Sequence, residues 1–167
     1  FKPVLWSTVE KTALADAEVE YLDHTSNTIY VAFKVKETNK HFLKDSSIII
    51  WTTTPWTIPT NKALAFNNSI EYAVCENKNY KELKTFKGSE FKGTICSHPF
   101  IKMDFDYDVP MLDAQFVNLE QGTGIVHCAP SHGPDDFNLC LKNNIPSLYT
   151  VDNSGVYTKE VPYFTNT

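Results

Sequence analysis

Residues 48–61 read Ile48-Ile49-Ile50-Trp51-Thr52-Thr53-Thr54-Pro55-Trp56-Thr57-Ile58-Pro59-Thr60-Asn61, and this stretch decides the fold. Its apolar, β-branched beginning predicts a buried strand, which Pro55 and Pro59 end because neither can donate a ladder hydrogen bond. The strand therefore finishes in three consecutive threonines on a proline-stiffened turn. Hydroxyl groups on rigid backbone are typical of small-molecule sites. Threonine is also an ordinary strand residue, so a purely structural interpretation stands beside the functional one.

Short strands separated by turn signals are predicted on both sides of this stretch. Alternating apolar and polar residues predict strands over 19–24, 28–36, 70–75, 94–97 and 111–117. The first two suggest a hairpin. A short helical turn capped by Ser7 or Thr8 is predicted within residues 6–15, and a short helix over 80–86. Many short strands with few helices favour a β-rich α+β fold, a closed or nearly closed β-barrel with peripheral helices.

A second landmark is Gly122-Thr123-Gly124-Ile125-Val126-His127-Cys128-Ala129-Pro130-Ser131-His132-Gly133-Pro134-Asp135-Asp136-Phe137. It predicts a short strand over 125–128, which Pro130 ends, and then a helix capped by Ser131 or His132. Carboxylates in the first turn favour the positive end of the helix dipole, which explains Asp135 and Asp136 without any function. Consecutive helical residues point about 100 degrees apart, so one acid can serve the surface and the other a cleft. Apolar spacing predicts an inward face of Phe137, Cys140 and Leu141.

Composition limits the classes of partner. The chain has 167 residues, 42% of them hydrophobic, which suits one domain with a real core. All 15 basic residues are lysines and the net charge is −5, so bidentate arginine contacts to phosphate or guanine are unavailable and we do not expect a dedicated duplex binder. We expect the chain to be one module of something larger, with no membrane segment and no signal peptide.

The cysteines are Cys75, Cys96, Cys128 and Cys140, with no Cys-x-x-Cys spacing. This pattern predicts reduced core thiols in a cytoplasmic protein, rather than a disulfide or zinc framework. A metal site could be drawn from His127, His132, Asp135, Asp136 and Cys128, but no ligand spacing supports it, and we expect no metal. A nucleophile pair of His127 and Cys128 is unfavourable because adjacent strand residues point to opposite faces.

The two landmarks together resemble the editing (CP1) domain inserted into class I isoleucyl-tRNA synthetases. Residues 6–15, Trp-Ser-Thr-Val-Glu-Lys-Thr-Ala-Leu-Ala, resemble the segment that leads into this insertion from the catalytic core. The valyl and leucyl relatives usually carry Arg-Pro-Glu or Arg-Pro-Asp where this chain has Thr54-Pro55-Trp56. The resemblance implies a single editing domain over 1–167, with connecting segments at 1–17 and 158–167. It also implies hydrolysis of valyl-tRNA(Ile), extending to valyl-adenylate, while isoleucine is excluded.

The resemblance also implies the roles of individual residues. Asp136 would bind the α-ammonium group of the aminoacyl moiety, and Trp56 with His127 would shape the side-chain pocket. His132 would be a neighbour of that pocket. The terminal adenosine and the attacking water would be held by residues of the first landmark, namely Thr52, Thr53, Thr54, Thr57 and Asn61. Cys128 and Ser131 stand where threonine and glycine or alanine are more usual, a departure that touches packing only.

Partners and cofactors follow from the same resemblance. We expect the 3′ end of tRNA(Ile) with its mischarged amino acid, the catalytic core of the same polypeptide, and a monomeric state. We expect no cofactor in this domain, because ATP and magnesium belong to the synthetic site of the parent enzyme. Two alternatives remain open: a module that binds a tRNA end or amino acid without turnover, and the editing domain of a valyl- or leucyl-tRNA synthetase.

Overall fold

The computed structural model of the chain describes residues 2–76 and 81–167. Its strands, numbered in chain order, are β1 (Trp6–Ser7), β2 (Thr12–Ala13), β3 (Ile29–Glu37), β4 (Ser47–Thr52), β5 (Ala63–Phe66), β6 (Glu71–Glu76), β7 (Lys81–Lys87), β8 (Ile95–Ser97), β9 (Asp108–Asp113) and β10 (Val126–Cys128). The α-helix α1 spans Pro134–Lys142. Short 3-10 helices span Asp16–Glu18, His41–Leu43, Pro55–Thr60, Gly88–Phe91 and Ile101–Met103.

Six of these strands form one curved sheet in the order β10-β5-β9-β8-β3-β4. Neighbours are antiparallel except β5 and β9, which run parallel. The two edge strands, β4 and β10, come into contact with each other, so the sheet curls into a nearly closed barrel. The predicted β-rich, nearly closed barrel is therefore confirmed. The line along which β4 meets β10 is called the seam below.

The deciding stretch supplies one side of the seam. Ile48, Ile50 and Thr52 of β4 are buried, whereas Ile49 points outward and is 41% exposed. The predicted strand is therefore buried on one face only, as period-two alternation requires of an edge strand. After Thr52 the chain leaves the sheet and coils as the 3-10 helix Pro55–Thr60, in which Pro55 occupies the first turn.

Two packed clusters hold the seam in place. The main core inside the barrel is aromatic and branched, with Phe33, Ile50, Leu64, Phe66 and Val109 among its fully or almost fully buried members. A second cluster of small side chains lies where α1 packs against the sheet. It contains Ala63, Ala65, Ala114, Val117, Cys128, Leu139 and Cys140. Through Leu139 and Cys140 this cluster joins α1 to the strands β5 and β10, and the first turn of α1 lies at the cavity beside the seam.

Two details of α1 differ from the sequence prediction. The N-cap is Gly133, without a side-chain cap hydrogen bond, whereas Ser131 or His132 was expected. Ser131 turns instead toward the C-terminal segment. Leu141 is 61% exposed and Leu139 is buried, so the inward face lies further round the helix than the apolar spacing predicts.

Three other local predictions are wrong. Within residues 6–15 the chain forms a β1–β2 hairpin instead of a helical turn, and the Ser7 hydroxyl accepts the Glu10 N–H inside it. Residues 19–24 form no strand, and β3 pairs with β4 and β8. The helix predicted over 80–86 is the strand β7, which pairs with β6; Tyr80 itself lies outside the described residues. Strand β9 also begins and ends earlier than the predicted 111–117.

The structure tests the expectations of reduced core thiols and of no membrane-spanning segment. All four thiols are free; Cys96, Cys128 and Cys140 are buried, but Cys75 is exposed and is not the core thiol that was expected. Over residues 2–76 and 81–167, none of the helices has the length and apolar character needed to span a membrane.

The glycine that begins the 3-10 helix Gly88–Phe91 gives a stability prediction. A Cβ at Gly88 would lie 2.0 Å from the Asn67 carbonyl oxygen and 2.9 Å from the Tyr72 ring. Because backbone cannot yield as a side chain does, we expect Gly88→Ala to lower the free energy of unfolding by about 3 kcal/mol. Gly93→Ala is the control: it meets open space, at a φ of +79°, and should cost about 1–2 kcal/mol. Urea unfolding measures both, and an equal or smaller loss at Gly88 would contradict the prediction.

Candidate functional site

A cavity of about 390 Å³ opens at the seam. Strand β4 and the turn after it form one wall, and β10 with the first turn of α1 forms the other. Residues before β10 close the third side. The lining includes Trp51, Thr52, Thr53, Thr54, Thr57, Phe116, Val117, Gln121, Ile125, Val126, His127, Ala129, His132 and Asp136. The structure thus brings residues from both sequence landmarks to one place.

The threonines form a hydrogen-bonded turn. The Thr52 hydroxyl accepts the Thr54 N–H at 3.1 Å and lies 3.3 Å from the Thr54 hydroxyl. The Thr57 hydroxyl donates to the Thr54 carbonyl at 2.8 Å and lies 3.3 Å from its hydroxyl. Thr52 and Thr57 are buried, whereas Thr53 is exposed and Thr54 half-buried. The buried hydroxyls of Thr52 and Thr57 therefore hold the turn in shape, and this turn places the hydroxyls of Thr53 and Thr54 at the cavity.

His127 closes the inner end of the cavity as a neutral imidazole. Its Nε2 lies 2.9 Å from the Thr57 hydroxyl and its Nδ1 lies 3.4 Å from the Asn61 amide nitrogen. The Thr57 proton is already used toward Thr54, and an amide nitrogen can only donate, so the network assigns the proton to Nε2. Burial lowers the pKa of His127 to about 4, with further lowering by His132 and His98. Both ring nitrogens are hydrogen-bonded, so the side chain is held in one position and forms a fixed part of the cavity wall.

Asp136 is the carboxylate of the cavity. Its Oδ2 accepts the Ala129 N–H at 2.8 Å, across the loop between β10 and α1. Burial raises the pKa of Asp136 to about 6; the Ala129 hydrogen bond lowers it and neighbouring Asp135 raises it. Asp135 is exposed, so the two acids divide between surface and cleft. Asp136 is half-buried, and no cationic side chain among residues 2–76 and 81–167 is paired with its carboxylate, so it is a strong site for a ligand cation.

Two residues assigned to the substrate by resemblance do not line the cavity. Trp56 is 54% exposed, and its carbonyl accepts the Tyr157 hydroxyl. Asn61 is completely buried behind His127, where its amide nitrogen donates to the Ala63 carbonyl at 2.9 Å as well as to His127. Its Oδ1 has no hydrogen-bond partner among the described residues. Asn61 therefore acts on the cavity indirectly, by holding the His127 ring through its hydrogen bond to Nδ1.

Sequence reasoning missed the third side of the cavity and the support behind the loop 129–132. Gly122 has a φ of +70°, and a Cβ there would lie 3.3 Å from the Trp51 ring, so this glycine seats the segment before β10 against β4. The Ser131 hydroxyl donates to the Leu148 carbonyl at 2.6 Å, and His132 Nε2 lies 3.3 Å from the Thr150 hydroxyl. Only the two glycines signalled any of this in the sequence.

The position of Asn61 behind His127 leads to a prediction. Asn61→Ala removes the donor that holds Nδ1 of His127, so the His127 tautomer should become mixed and stability should fall by about 1–3 kcal/mol. Nitrogen NMR of the imidazole reports the tautomer, and thermal unfolding reports the stability. Thr60→Val is the matched control, because Thr60 is buried and donates to the Thr57 carbonyl without touching His127. An unchanged His127 spectrum in Asn61→Ala would contradict the network.

Comparison with known proteins gives a consistent family. Residues 58–165 match the family model described as "Leucyl-tRNA synthetase, editing domain". The chain is similar to isoleucine–tRNA ligase of Pelagibacter ubique (strain HTCC1062), at 59% identity over 100% of this chain and 21% of that protein. It is also similar to isoleucine–tRNA ligase of Gluconobacter oxydans (strain 621H), at 42% identity over 97% of this chain and 20% of that protein.

A relative from another lineage shows the same coverage. Isoleucine–tRNA ligase of Bacillus mycoides (strain KBAB4) is 40% identical over 98% of this chain and 20% of its own length. The chain thus spans about a fifth of the relatives it matches. A solved structure, the crystal structure of GlLeuRS-CP1, superposes with a TM-score of 0.49 at 14% identity, over 69% of this chain and 53% of that chain.

The family model covers more than half of the chain, including β10 and α1, which form one wall of the cavity, while the threonines at positions 52–57 precede the matched residues. The chain therefore belongs to the editing-domain family of class I aminoacyl-tRNA synthetases, and the relatives it matches are isoleucine–tRNA ligases, as its two motifs predict.

Proposed function

We propose that this domain hydrolyses the ester of valine mischarged on tRNA(Ile), with valyl-adenylate as a second substrate, and that it excludes isoleucine. One observation carries the proposal: the half-buried Asp136 carboxylate, the threonine turn and the His127 wall meet on one cavity. An aminoacyl ester has a cationic amino group, a ribose and a side chain. Asp136 offers an anion for the amino group, the threonine turn offers hydroxyl groups for the ribose, and His127 offers a wall against the side chain.

Such an activity has a clear physical reason. A hydrophobic pocket gains only about 1–3 kcal/mol from one methylene, and isoleucine against valine is a standard illustration of that limit. A synthetic site shaped for isoleucine therefore admits valine at a rate that translation cannot tolerate. A second cavity that is too small for isoleucine removes the error by hydrolysis.

The proposed contacts divide the work between binding and orientation. Asp136 pairs with the α-ammonium group in a partly desolvated place, where a charge-assisted bond is strong. Thr53 and Thr54 hold the terminal ribose and a water molecule, and the buried Thr52 and Thr57 keep them in position. Orientation of a water against the ester is a large part of the rate in this scheme. The vicinal hydroxyl of the ribose is a further hydrogen-bond donor to the reacting oxygens.

The parent enzyme supplies most of the affinity for tRNA in this proposal. The net charge of −5 and the absence of arginine give this domain little attraction for a phosphate backbone. We propose the 3′ end of tRNA(Ile) and the catalytic core as its partners, within a cytoplasmic, monomeric synthetase. ATP and magnesium act at the synthetic site, and the editing step needs neither.

The same charge favours one second candidate, a module that only binds the tRNA end. Deacylation of valyl-tRNA(Ile) and isoleucyl-tRNA(Ile) by this chain at high concentration separates the two. We expect selective loss of valine. Hydrolysis of both esters at equal rates would overturn the proposal, and binding of a valyl analogue without hydrolysis would support the binding module. Tighter binding of a threonyl analogue than of a valyl one would indicate editing for a valyl enzyme instead.

A further inference from the structure

We propose that His132 is the proton acceptor for the attacking water, and that Thr150, in the C-terminal segment, positions its ring. The inference rests on the proposed hydrolysis and adds a catalytic residue to it. Neither residue belongs to the set that the threonine motif and the aspartate motif assign to the substrate.

The cavity leaves few groups for this task. The titratable side chains among its lining residues are His127, His132 and Asp136. Both nitrogens of His127 are engaged by Thr57 and Asn61, so it cannot accept a proton without breaking the network. Asp136 is committed to the Ala129 N–H and to the ammonium group of the substrate. The threonine hydroxyls are far too weakly basic at neutral pH. His132 is the remaining base.

The ring of His132 contacts a buried hydroxyl group, and the proposal requires the tautomer that carries its proton on Nε2. Nε2 lies 3.3 Å from the hydroxyl of Thr150, which is 3% exposed and fixed in the chain by its backbone bonds. When Nε2–H donates to that oxygen, Nδ1 has a free lone pair, and Nδ1 makes no hydrogen bond to any residue that the structure describes. This is the arrangement of a base oriented by a third group.

The backbone around His132 is fixed on both sides. The His132 N–H donates to the Ala129 carbonyl at 2.9 Å, and Ala129 in turn donates to Asp136. Ser131 is tied to Leu148 at 2.6 Å and to the Ser147 hydroxyl at 3.2 Å. The proton acceptor and the ammonium anchor, at the start of α1, thus both hydrogen-bond to Ala129, so a substrate held by Asp136 is placed in a fixed relation to His132. A rigid scaffold of this kind is what positioning in catalysis requires.

The protonation state suits the role. Partial burial of the ring lowers the pKa of His132 below its ordinary value of 6.5, so the imidazole is neutral at physiological pH. The ring is nevertheless exposed at the cavity wall and can be reached by water. His127 and Asp136 are the other titratable groups on this cavity.

The proposed step balances without any further reactant. The water oxygen bonds to the ester carbonyl carbon while one water proton passes to Nδ1 of His132. Collapse of the tetrahedral intermediate breaks the bond between the carbonyl carbon and the ribose oxygen. The proton then passes from His132 to that ribose oxygen, which releases valine and restores the neutral imidazole.

Two substitutions of His132 test the step. His132→Gln keeps an amide near the Nε2 position for Thr150 and removes Nδ1; we expect kcat for valyl-tRNA(Ile) to fall by about 10²-fold or more, with KM and valyl-analogue binding nearly unchanged. His132→Ala should lose kcat likewise and recover part of it in added imidazole. Asp136→Asn is the control. This variant keeps the base, His132, and loses only the carboxylate that binds the ammonium group, so added imidazole should not restore its activity.

Thr150 is tested by a matched pair. Thr150→Val removes the hydroxyl and should lower kcat by roughly tenfold or more without changing analogue binding, whereas Thr150→Ser should stay near wild type. Full kcat in His132→Gln, or absence of imidazole rescue in His132→Ala, would overturn the proposal while leaving the editing function intact. Failure of the wild-type chain to deacylate either ester would instead remove the proposed function, and this inference with it.

Discussion

Replacing Asp136 by asparagine should lower kcat/KM for valyl-tRNA(Ile) by about 10²-fold or more. Removing one partner of a buried, hydrogen-bonded ion pair costs about 2–5 kcal/mol, and each 1.4 kcal/mol is a factor of ten. Asparagine keeps an oxygen that can accept the Ala129 N–H, which Asp136 accepts at 2.8 Å, so the loop should keep its shape. The loss should therefore appear as weaker binding of the ammonium group, measured by steady-state deacylation and by titration with a valyl analogue.

Stability should move in the opposite direction from activity in this variant. The pKa of Asp136 is about 6 in the fold against an ordinary 3.8, so the folded chain holds the proton more tightly than the unfolded chain. The carboxyl group thus favours folding below pH 4, and that contribution is lost as the pH rises through 6. At pH 8 Asp136→Asn should melt at the wild-type temperature or above it. A lower melting temperature together with lost activity would indicate misfolding and would contradict the anchor role.

The charge change has a matched control on the same helix turn. Asp135→Asn removes the same charge one residue earlier, but Asp135 is exposed, so deacylation should stay within about twofold of wild type. Binding of the valyl analogue to the wild-type chain should also weaken below pH 6, as the Asp136 carboxylate becomes protonated. Equal losses in the two variants would show that net charge, and not one anchored carboxylate, governs the reaction.

The spacing of short strands and turn signals predicted the barrel, whereas the meeting of the two motifs on one site was implied by the family resemblance. Pro55 and Pro59 follow the strand as predicted, but the apolar run was expected to be buried throughout, and the structure exposes Ile49 on the outer face of this edge strand. Two glycines marked the turn into β10. The strand period also placed His127 and Cys128 on opposite faces, and the structure has His127 on the cavity and Cys128 against α1.

The wrong predictions depend on partners distant in sequence. Residues 81–87, Lys-Glu-Leu-Lys-Thr-Phe-Lys, contain good helix formers, yet pairing with β6 and burial of Phe86 make them a strand. Trp6 belongs to the β1–β2 hairpin, and its indole nitrogen donates to the Asn153 carbonyl, 147 residues away. The support of His132 by Thr150 is likewise a contact between segments that no local pattern relates. Side-chain contacts between residues far apart in the sequence therefore form the parts of the site that the two motifs do not contain.

Replacing His127 by alanine should change which amino acid is removed. The imidazole fills the inner end of the cavity, and without it the space for one more methylene becomes available. Since a methylene is worth about 1–3 kcal/mol, hydrolysis of isoleucyl-tRNA(Ile) should rise tenfold or more relative to valyl-tRNA(Ile). The ratio of the two deacylation rates measures the effect.

Stability is the confounding effect in this experiment, and a second histidine controls for it. Loss of His127 removes one hydrogen bond from each of the buried residues Thr57 and Asn61, which should cost about 1–3 kcal/mol. His98 is also buried, has a pKa lowered to about 4 by burial, and donates to the Ile58 carbonyl, but it does not line the cavity. His98→Ala should therefore lower stability without changing the ratio of the two rates. A similar loss of discrimination in both variants would mean that selectivity reflects the general rigidity of the barrel, and His127 would not be the wall that excludes isoleucine.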